Sequence, residues 1–179
     1  LRALIAHCLS SASGGFSLSD FPLAKLTQRQ LDEQLGAGRQ IEDIYPLSPM
    51  QEGMFFHSVY TPGAQMYFEQ SSFTLEGPLH VEAFERAWRM AVQRHSILRS
   101  AYIWEGVDQP HQIVRREVKL PFEQWDWTQI GNEEQEGRWK EFLKADRQRS
   151  FDLTQAPLMR ISLVKWRDDL YKCVWSFHH

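Results

Sequence analysis

Residues 159–179, MRISLVKWRDDLYKCVWSFHH, contain two apolar runs separated by charged residues. Residues 159–166 and 170–177 each have the length and the aromatic and β-branched content of a strand. The charged residues 167–169 between them are typical of a turn. The segment therefore predicts a β-hairpin whose second strand ends at the histidine pair His178 and His179.

Upstream of the hairpin, helical and extended patterns are mixed. Ser48 followed by Pro49 predicts the start of a helix that runs to about residue 60. Further helices are predicted over residues 80–95 and 132–149, and strands over residues 66–75, 99–105, 111–118 and 122–127. Strands combined with long helices predict an α+β fold, in which helices pack on one face of a mixed β-sheet.

The composition indicates a chain with a substantial apolar core. Of its 179 residues 13% are aromatic, and 20 basic against 23 acidic residues give a net charge of −3. No basic stripe or acidic tail favours nucleic acid or a membrane surface as a partner, and no apolar run reaches the ~18–20 residues that span a bilayer. Cys8 and Cys173 lack metal-ligand spacing and fit a reducing compartment, so we expect a cytoplasmic protein.

Residues 1–40 resemble a connector between domains more than a core. A short helix is predicted over residues 28–35, with Thr27 as its N-cap. We therefore divide the chain into a connector over 1–40 and a domain over 41–179. Because the sequence begins without Met and stops in mid-pattern, we expect an internal piece of a longer polypeptide. The predicted end of this short helix is at Gly36 and Gly38, and that of the helix that starts after Ser48 is at Pro62 and Gly63.

The histidine pair is the first candidate for chemistry. Imidazole has the unperturbed pKa nearest neutrality and suits proton transfer at physiological pH. Side chains alternate along a strand, so His179 shares a face with Phe177 and His178 shares the other face with Ser176. Only one of the two side chains can therefore face a given cavity, and the other must find its hydrogen-bond partners within the fold. Considered alone, the pair favours a structural role over a catalytic one.

Three further segments carry candidate residues, each with a structural explanation. Residues 45–57, YPLSPMQEGMFFH, predict a capped helix start whose Met50, Met54, Phe55 and Phe56 pack in the core. His57 by itself is interpreted as an ordinary core or surface histidine.

The other two segments are RHSILRS (94–100) and SFDLTQAPLMRISL (150–163). Arg94 suits the C-terminal end of a helix dipole, and Arg99 is a candidate to hold a buried carboxylate with its bidentate fork. The third segment is interpreted as the exit from a helix into a strand.

In their order and spacing these segments resemble the core motifs of the condensation domains of nonribosomal peptide synthetases. YPLSPMQEGMFFH is similar to the first motif of that family, and RHSILRS to its second, usually written RHxxLRT. SFDLTQAPLMRISL is similar to a third element, and the terminal HH to the opening of the active-site motif HHxxxDG. The resemblance covers about residue 41 to the end, and the Asp and Gly of the active-site motif lie beyond residue 179.

The resemblance implies a fold, a reaction and partners. The fold is a chloramphenicol-acetyltransferase-like lobe, one of two that enclose a tunnel. The reaction joins two thioesters carried on phosphopantetheine arms of donor and acceptor carrier domains, and the domain itself holds no cofactor or metal. By motif match His179 is the catalytic position and His178 its structural neighbour, with Arg99 and Arg94 as site support. Without the second lobe, we expect these 179 residues alone to be inactive.

Residues 1–36 carry a second resemblance, through SDFPLAKL (19–26), to the tail of an epimerisation or condensation domain that leads into the next module. With the SPMQEGM form of the first motif, this implies a D-configured donor, an upstream epimerisation domain and an adjacent adenylation domain. The alternatives are an epimerisation domain of the same fold, a coenzyme A-dependent acyltransferase of the same superfamily, and a non-catalytic recruitment domain.

Overall fold

The computed structural model describes residues 1–10, 15–35, 40–61 and 66–179, which contain five α-helices and seven β-strands. The helices are α1 (Arg2–Leu9), α2 (Gln28–Leu35), α3 (Pro49–Tyr60), α4 (Val81–Arg94) and α5 (Asn132–Gln148). The strands are β1 (Ile41–Pro46), β2 (Phe68–Glu76), β3 (Ser100–Ile103), β4 (His111–Arg115), β5 (Phe122–Asp126), β6 (Met159–Arg167) and β7 (Leu170–His178). The helix ends predicted at Gly36, Gly38, Pro62 and Gly63 lie outside the described residues.

The predicted hairpin is confirmed as β6 and β7. The two strands pair antiparallel, with Met159 opposite Phe177 at the open end. Strand β2 pairs with the other edge of β7, and β5 runs parallel to β6, which gives a four-stranded mixed sheet in the order β2-β7-β6-β5. The other predicted helices and strands are also present, with bounds close to those predicted.

Helices cover both faces of this sheet, which corrects the prediction that they pack on one face. Ile161 and Leu163 of β6 pack in a cluster with α4, whereas Val164 and Trp166 pack with α5. Because neighbouring side chains of a strand point to opposite faces, the two helices lie on opposite sides. Strand β6 is buried along nearly its whole length, as expected for a strand covered on both faces. The α+β class itself is confirmed.

A second, three-stranded sheet has the order β1-β4-β3 and is antiparallel. Strands β3 and β4 were predicted, but β1 was not. Its fully buried side chains, Ile41 and Ile44, are three positions apart, and the register with β4 shifts between Ile41 and Asp43. Such a bulge breaks the period of two on which the recognition of a strand depends.

Residues 16–35, which we call the strap, pack against this second sheet and belong to its core. Their side chains Phe21, Leu26 and Leu31 are buried in one cluster with the sheet residues Ile41, Ile44, Ala101 and Ile113. The expectation that this region resembles a connector more than a core is therefore wrong for the strap. Its buried residues are five positions apart, a spacing that matches neither the helical nor the strand period.

A buried histidine fastens the strap to the sheet. The backbone N–H of Lys25 donates to Nε2 of His111 at 3.2 Å, and Nδ1 of His111 lies 2.8 Å from the carbonyl oxygen of Gln109. Both contacts are satisfied by the neutral ring that carries its proton on Nδ1. A second proton on Nε2 would remove the acceptor for Lys25.

The stability of the chain is therefore expected to fall in mild acid. Burial lowers the pKa of His111 from its usual 6.5, so the unfolded chain binds a proton at a higher pH than the folded chain. The contribution of His111 to the free energy of unfolding is fully present above about pH 6.5. It is lost progressively below that pH, with a limiting slope of about 1.4 kcal/mol per pH unit. Urea unfolding at about pH 7.5 and 5.5 should show a smaller loss for His111→Gln than for the wild type, and His57→Gln is the exposed control. Equal losses in wild type and His111→Gln would contradict this account.

Candidate active site

The histidine pair leaves the sheet where three chain segments meet. The backbone N–H of His178 donates to the carbonyl oxygen of Leu158 at 3.0 Å, and that of His179 donates to Tyr67 at 2.7 Å. Leu158 immediately precedes β6 and Tyr67 immediately precedes β2, the two neighbours of β7. The backbone N–H of His178 is therefore held from the side of β6 and that of His179 from the side of β2.

His178 is anchored to the scaffold by its side chain. Its Nε2 lies 3.1 Å from Oγ of Ser58, whose hydroxyl also donates to the carbonyl oxygen of Met54 at 2.9 Å. Because a serine hydroxyl has one proton, both bonds form together only if His178 donates from Nε2. Burial lowers the pKa of His178, which favours this neutral ring.

His179 has an exposed side chain and lines two adjoining clefts. The first lies between α3 and β3 and is formed by Gln51, Met54, Phe55, Tyr102 and Leu153 together with both histidines. The second has a volume of about 130 Å³ and lies between a 3₁₀ turn (Ser96–Arg99) and the ends of β6 and β7. We call the two clefts together the histidine groove. A solvent-accessible imidazole beside its largely apolar walls can accept a proton from a molecule bound there or donate a proton to it.

The segment 45–57 forms the wall opposite the histidines through a capped helix. Oγ of Ser48 accepts from the backbone N–H of Gln51 at 3.3 Å, and Oε1 of Gln51 accepts from that of Ser48 at 2.9 Å. This is a capping box, and it confirms the predicted helix start. The prediction of core packing holds for Phe55 but not for two other members of the segment, because α3 buries only one side: Met50 is 78% and Phe56 53% exposed.

The amide of Gln51 connects this segment to the segment 94–100. Its Nε2 donates to Oε1 of the buried Gln112 at 2.8 Å, and Nε2 of Gln112 donates to Oγ of Ser100 at 2.7 Å. Gln112 also donates to the hydroxyl of Tyr45 at 3.2 Å. The two motifs, distant in sequence, are thus joined behind the cleft that His179 lines.

Replacing Ser48 with alanine should destabilise the start of α3, while α3 still forms this wall of the cleft. The variant loses the side-chain acceptor at the N-cap of α3, which typically costs about 1 kcal/mol of stability. Urea unfolding measures the loss. Ser19→Ala, which changes an exposed serine of the strap rather than the cap of an α-helix, is the matched control. A loss no greater than that of the control would show that the capping box contributes nothing.

Arg99 and Arg94 do not line the clefts beside the histidines. Arg99 is buried, and its Nη1 donates to Oε2 of Glu42 at 2.7 Å and to the backbone carbonyl oxygens of Arg115 and Arg116. The predicted bidentate grip on a buried carboxylate is wrong, because one nitrogen makes the contact and the Glu42 side chain is 42% exposed. Arg94 is exposed in the last turn of α4, as the helix-dipole interpretation predicts.

A buried ionic group near the histidines was missed from the sequence. Nε of Arg160 on β6 donates to Oδ1 of Asp146 on α5 at 2.6 Å, and both side chains are almost fully buried. In the sequence, helical spacing places Asp146 on the same side of its helix as the apolar residues Trp139 and Phe142. A carboxylate on such a side is the signal that could have revealed a buried partner.

The segment 150–163 is architectural, as interpreted from the sequence. Oδ1 of Asp152 accepts from the backbone N–H and the hydroxyl of Thr154, which closes a local turn. The carbonyl oxygen of Leu153 accepts from Tyr102, and the ring of Phe151 stacks on Phe68 at 5.7 Å. The segment thereby contacts both β3 and the start of β2.

Two negative findings apply to residues 1–10, 15–35, 40–61 and 66–179. None of the helices in those ranges is both long and apolar enough to cross a membrane. The same ranges contain no group of three or more His, Cys, Asp or Glu side chains arranged to hold a metal ion.

Sequence comparisons match the chain to parts of very long synthetases. It is 50% identical over 179 residues to one of the linear gramicidin synthase proteins of Brevibacillus parabrevis, covering all of this chain and 2% of that protein. It is 41% identical over 140 residues to one of the plipastatin synthase proteins of Bacillus subtilis, covering 78% of this chain and 6% of that protein. The chain thus spans only a few per cent of the length of these relatives.

Solved structures share the fold. The starter condensation domain of rhizomide synthetase RzmA superposes with a TM-score of 0.69 at 22% identity, over 77% of this chain and 34% of that chain. A four-domain nonribosomal peptide synthetase, AB3403, gives a TM-score of 0.68 at 17% identity, over 82% of this chain and 11% of that chain. These likenesses confirm the predicted chloramphenicol-acetyltransferase-like fold of condensation domains.

The part of this chain that matches a known protein family includes every motif that borders the histidine groove. The condensation domain family matches residues 41–179, which contain the capped helix, the buried Gln112 and the histidine pair. The chain therefore belongs to the condensation domain family of nonribosomal peptide synthetases.

Proposed function

We propose that this chain supplies the catalytic histidine of a condensation domain that forms amide bonds between carrier-bound thioesters. The acceptor α-amine attacks the donor thioester carbonyl, so that a C–N bond forms and the C–S bond breaks. The amine loses one proton and the departing thiolate of the donor arm gains one. His179 either transfers this proton as a general base or orients the amine and stabilises the charged intermediate.

One observation carries the assignment to His179 rather than His178. Both histidines line the two clefts, in contrast to the prediction that only one of them can face a given cavity. The side chain of His178, however, is half-buried and bonded to Ser58, whereas that of His179 is exposed. A group that moves a proton to or from a substrate must be reachable by that substrate. His178 then acts as the structural neighbour that fixes the end of β7.

The proposed substrates are aminoacyl or peptidyl groups on phosphopantetheine arms of donor and acceptor carrier domains. The arms belong to the carriers, so the domain itself needs no cofactor. The chain spans 34% of the RzmA condensation domain chain, and we propose that a second lobe completes the tunnel. An adenylation domain and an upstream epimerisation domain are the proposed neighbours in a cytoplasmic synthetase.

A D-configured donor is the more specific proposal. It is supported by the SPMQEGM form at residues 48–54 and by the SDFPLAKL segment at 19–26, both interpreted from the sequence. The epimerisation alternative uses the same fold and histidine pair but exchanges the α-proton of one thioester. The recruitment alternative predicts no chemistry at all.

A product assay on the intact parent synthetase separates these possibilities. Its carriers are loaded with a D- or an L-configured donor and with the acceptor, and the released thioesters are analysed by mass spectrometry and chiral chromatography. We expect a dipeptidyl thioester, formed faster from the D-donor. Exchange of the α-proton with deuterated water without a new amide would instead indicate epimerisation, and neither product would indicate recruitment.

A further inference from the structure

A buried carboxylate connects one helix to three strands of the four-stranded sheet. Asp146 of α5 accepts from Arg160 on β6 at 2.6 Å, from Gln70 on β2 at 2.7 Å and from the hydroxyl of Ser176 on β7. Arg160 also donates from Nη2 to the backbone carbonyl oxygen of Asp146 at 2.6 Å. We call Asp146, Arg160, Gln70 and Ser176 the Asp146 network.

The strand register places this network directly behind His178. Gln70 and Arg160 are both paired with Ser176, and the next residues on the same face of β2 and β7, Phe68 and His178, are paired with each other. Ser176 is two positions before His178, so both side chains lie on one face of β7. The network therefore fixes the row of the sheet that lies two positions before the pair Phe68 and His178.

A second set of contacts links the network to the cleft that receives His178. The guanidinium of Arg160 lies over the ring of Phe151 at 4.6 Å and near that of Phe68 at 5.4 Å. Both rings line that cleft together with Ser58 and His178. A cation on an aromatic face adds attraction and holds the rings in place.

The charged state of the network supports a fixed geometry. Burial opposes ionisation of the Asp146 carboxyl, yet the hydrogen bonds from Arg160, Ser176 and Gln70 hold its pKa below the usual value. A buried ion pair adds little net stability compared with apolar packing, so specification of one geometry is the better explanation for it.

We propose that the Asp146 network is a positioning device for the histidine pair in the condensation reaction proposed above, on which this inference rests. It holds the end of β7 through Ser176 and the wall of the His178 cleft through Arg160. His178 then stays on Ser58, and His179 keeps its orientation in the groove. None of the four residues need contact the substrates.

The test compares Ser176→Ala with Ser162→Ala in the intact synthetase. Ser162 lies on β6, is buried like Ser176, and is paired with Val174, two positions further from the histidines along β7. Ser176→Ala should lower kcat for amide formation by about 10- to 100-fold with little change in KM, because small misplacements of a catalytic group carry costs of that order. Ser162→Ala should change kcat by less than about twofold, and Ser176→Thr, which keeps the hydroxyl, should restore most of the rate.

Amide hydrogen exchange of the peptide covering residues 170–179, followed by mass spectrometry, is the second readout. Exchange should become faster in Ser176→Ala but not in Ser162→Ala, while the thermal midpoints of the two variants remain similar. Unchanged kcat and exchange in Ser176→Ala, or equal effects of the two variants, would overturn the inference. If the wild type forms no amide, the proposed function fails, whereas the exchange comparison still decides whether the network holds the end of β7.

Discussion

Replacing His179 with alanine in the intact synthetase is expected to lower the rate of amide formation by about 10²–10⁴-fold, the usual contribution of a general acid or base. The side chain is exposed at the groove and forms no hydrogen bond with the part of the chain that the structure describes, so we expect the fold and the loading of the carriers to be unchanged. The dipeptidyl thioester is quantified by mass spectrometry after each carrier is shown to be fully loaded.

Two further variants make this result specific. His57→Ala removes an exposed imidazole of α3 that does not line the clefts, and we expect wild-type rates from it. His178→Ala removes the bond to Ser58, and we expect an intermediate rate together with lower stability. Retained turnover in His179→Ala would refute the assignment, and a loss of turnover in His57→Ala would show that the effect is not specific to the histidine in the groove.

Asp146→Ala is expected to lower the free energy of unfolding by about 3–5 kcal/mol, because it leaves the buried Arg160 without its counter-charge. Asp146→Asn, which keeps the shape and loses the charge, should also destabilise the chain. Urea unfolding measures both. Asp168→Ala removes an almost fully exposed aspartate that pairs with Lys165, and we expect it to unfold at the wild-type midpoint. If Asp146→Ala and Asp168→Ala unfold at the same urea concentration, the buried pair is not structural.

Local patterns were sufficient to predict most of the elements. The hairpin of β6 and β7 has long apolar strands and a charged turn, and α3 has a serine N-cap followed by proline, so both could be recognised without tertiary information. Strand β1 could not, because its bulge places the buried side chains of Ile41 and Ile44 three positions apart.

The strap and the Asp146 network depend on contacts between residues distant in sequence. Lys25 and His111 are 86 positions apart, and Gln70 and Asp146 are 76 positions apart. Nothing in the local sequence of either partner identifies the other. The histidine pair was found because its motif resembles that of a family, whereas the different environments of His178 and His179 required the position of Ser58.

The most direct test of the central claim is the single-turnover rate of amide formation, measured by rapid quench on synthetases whose donor and acceptor carriers are loaded beforehand. This measurement excludes loading and product release from the observed rate. The account predicts that His179→Ala slows this step by about 10²–10⁴-fold relative to the wild type. Equal single-turnover rates in the two proteins would contradict it.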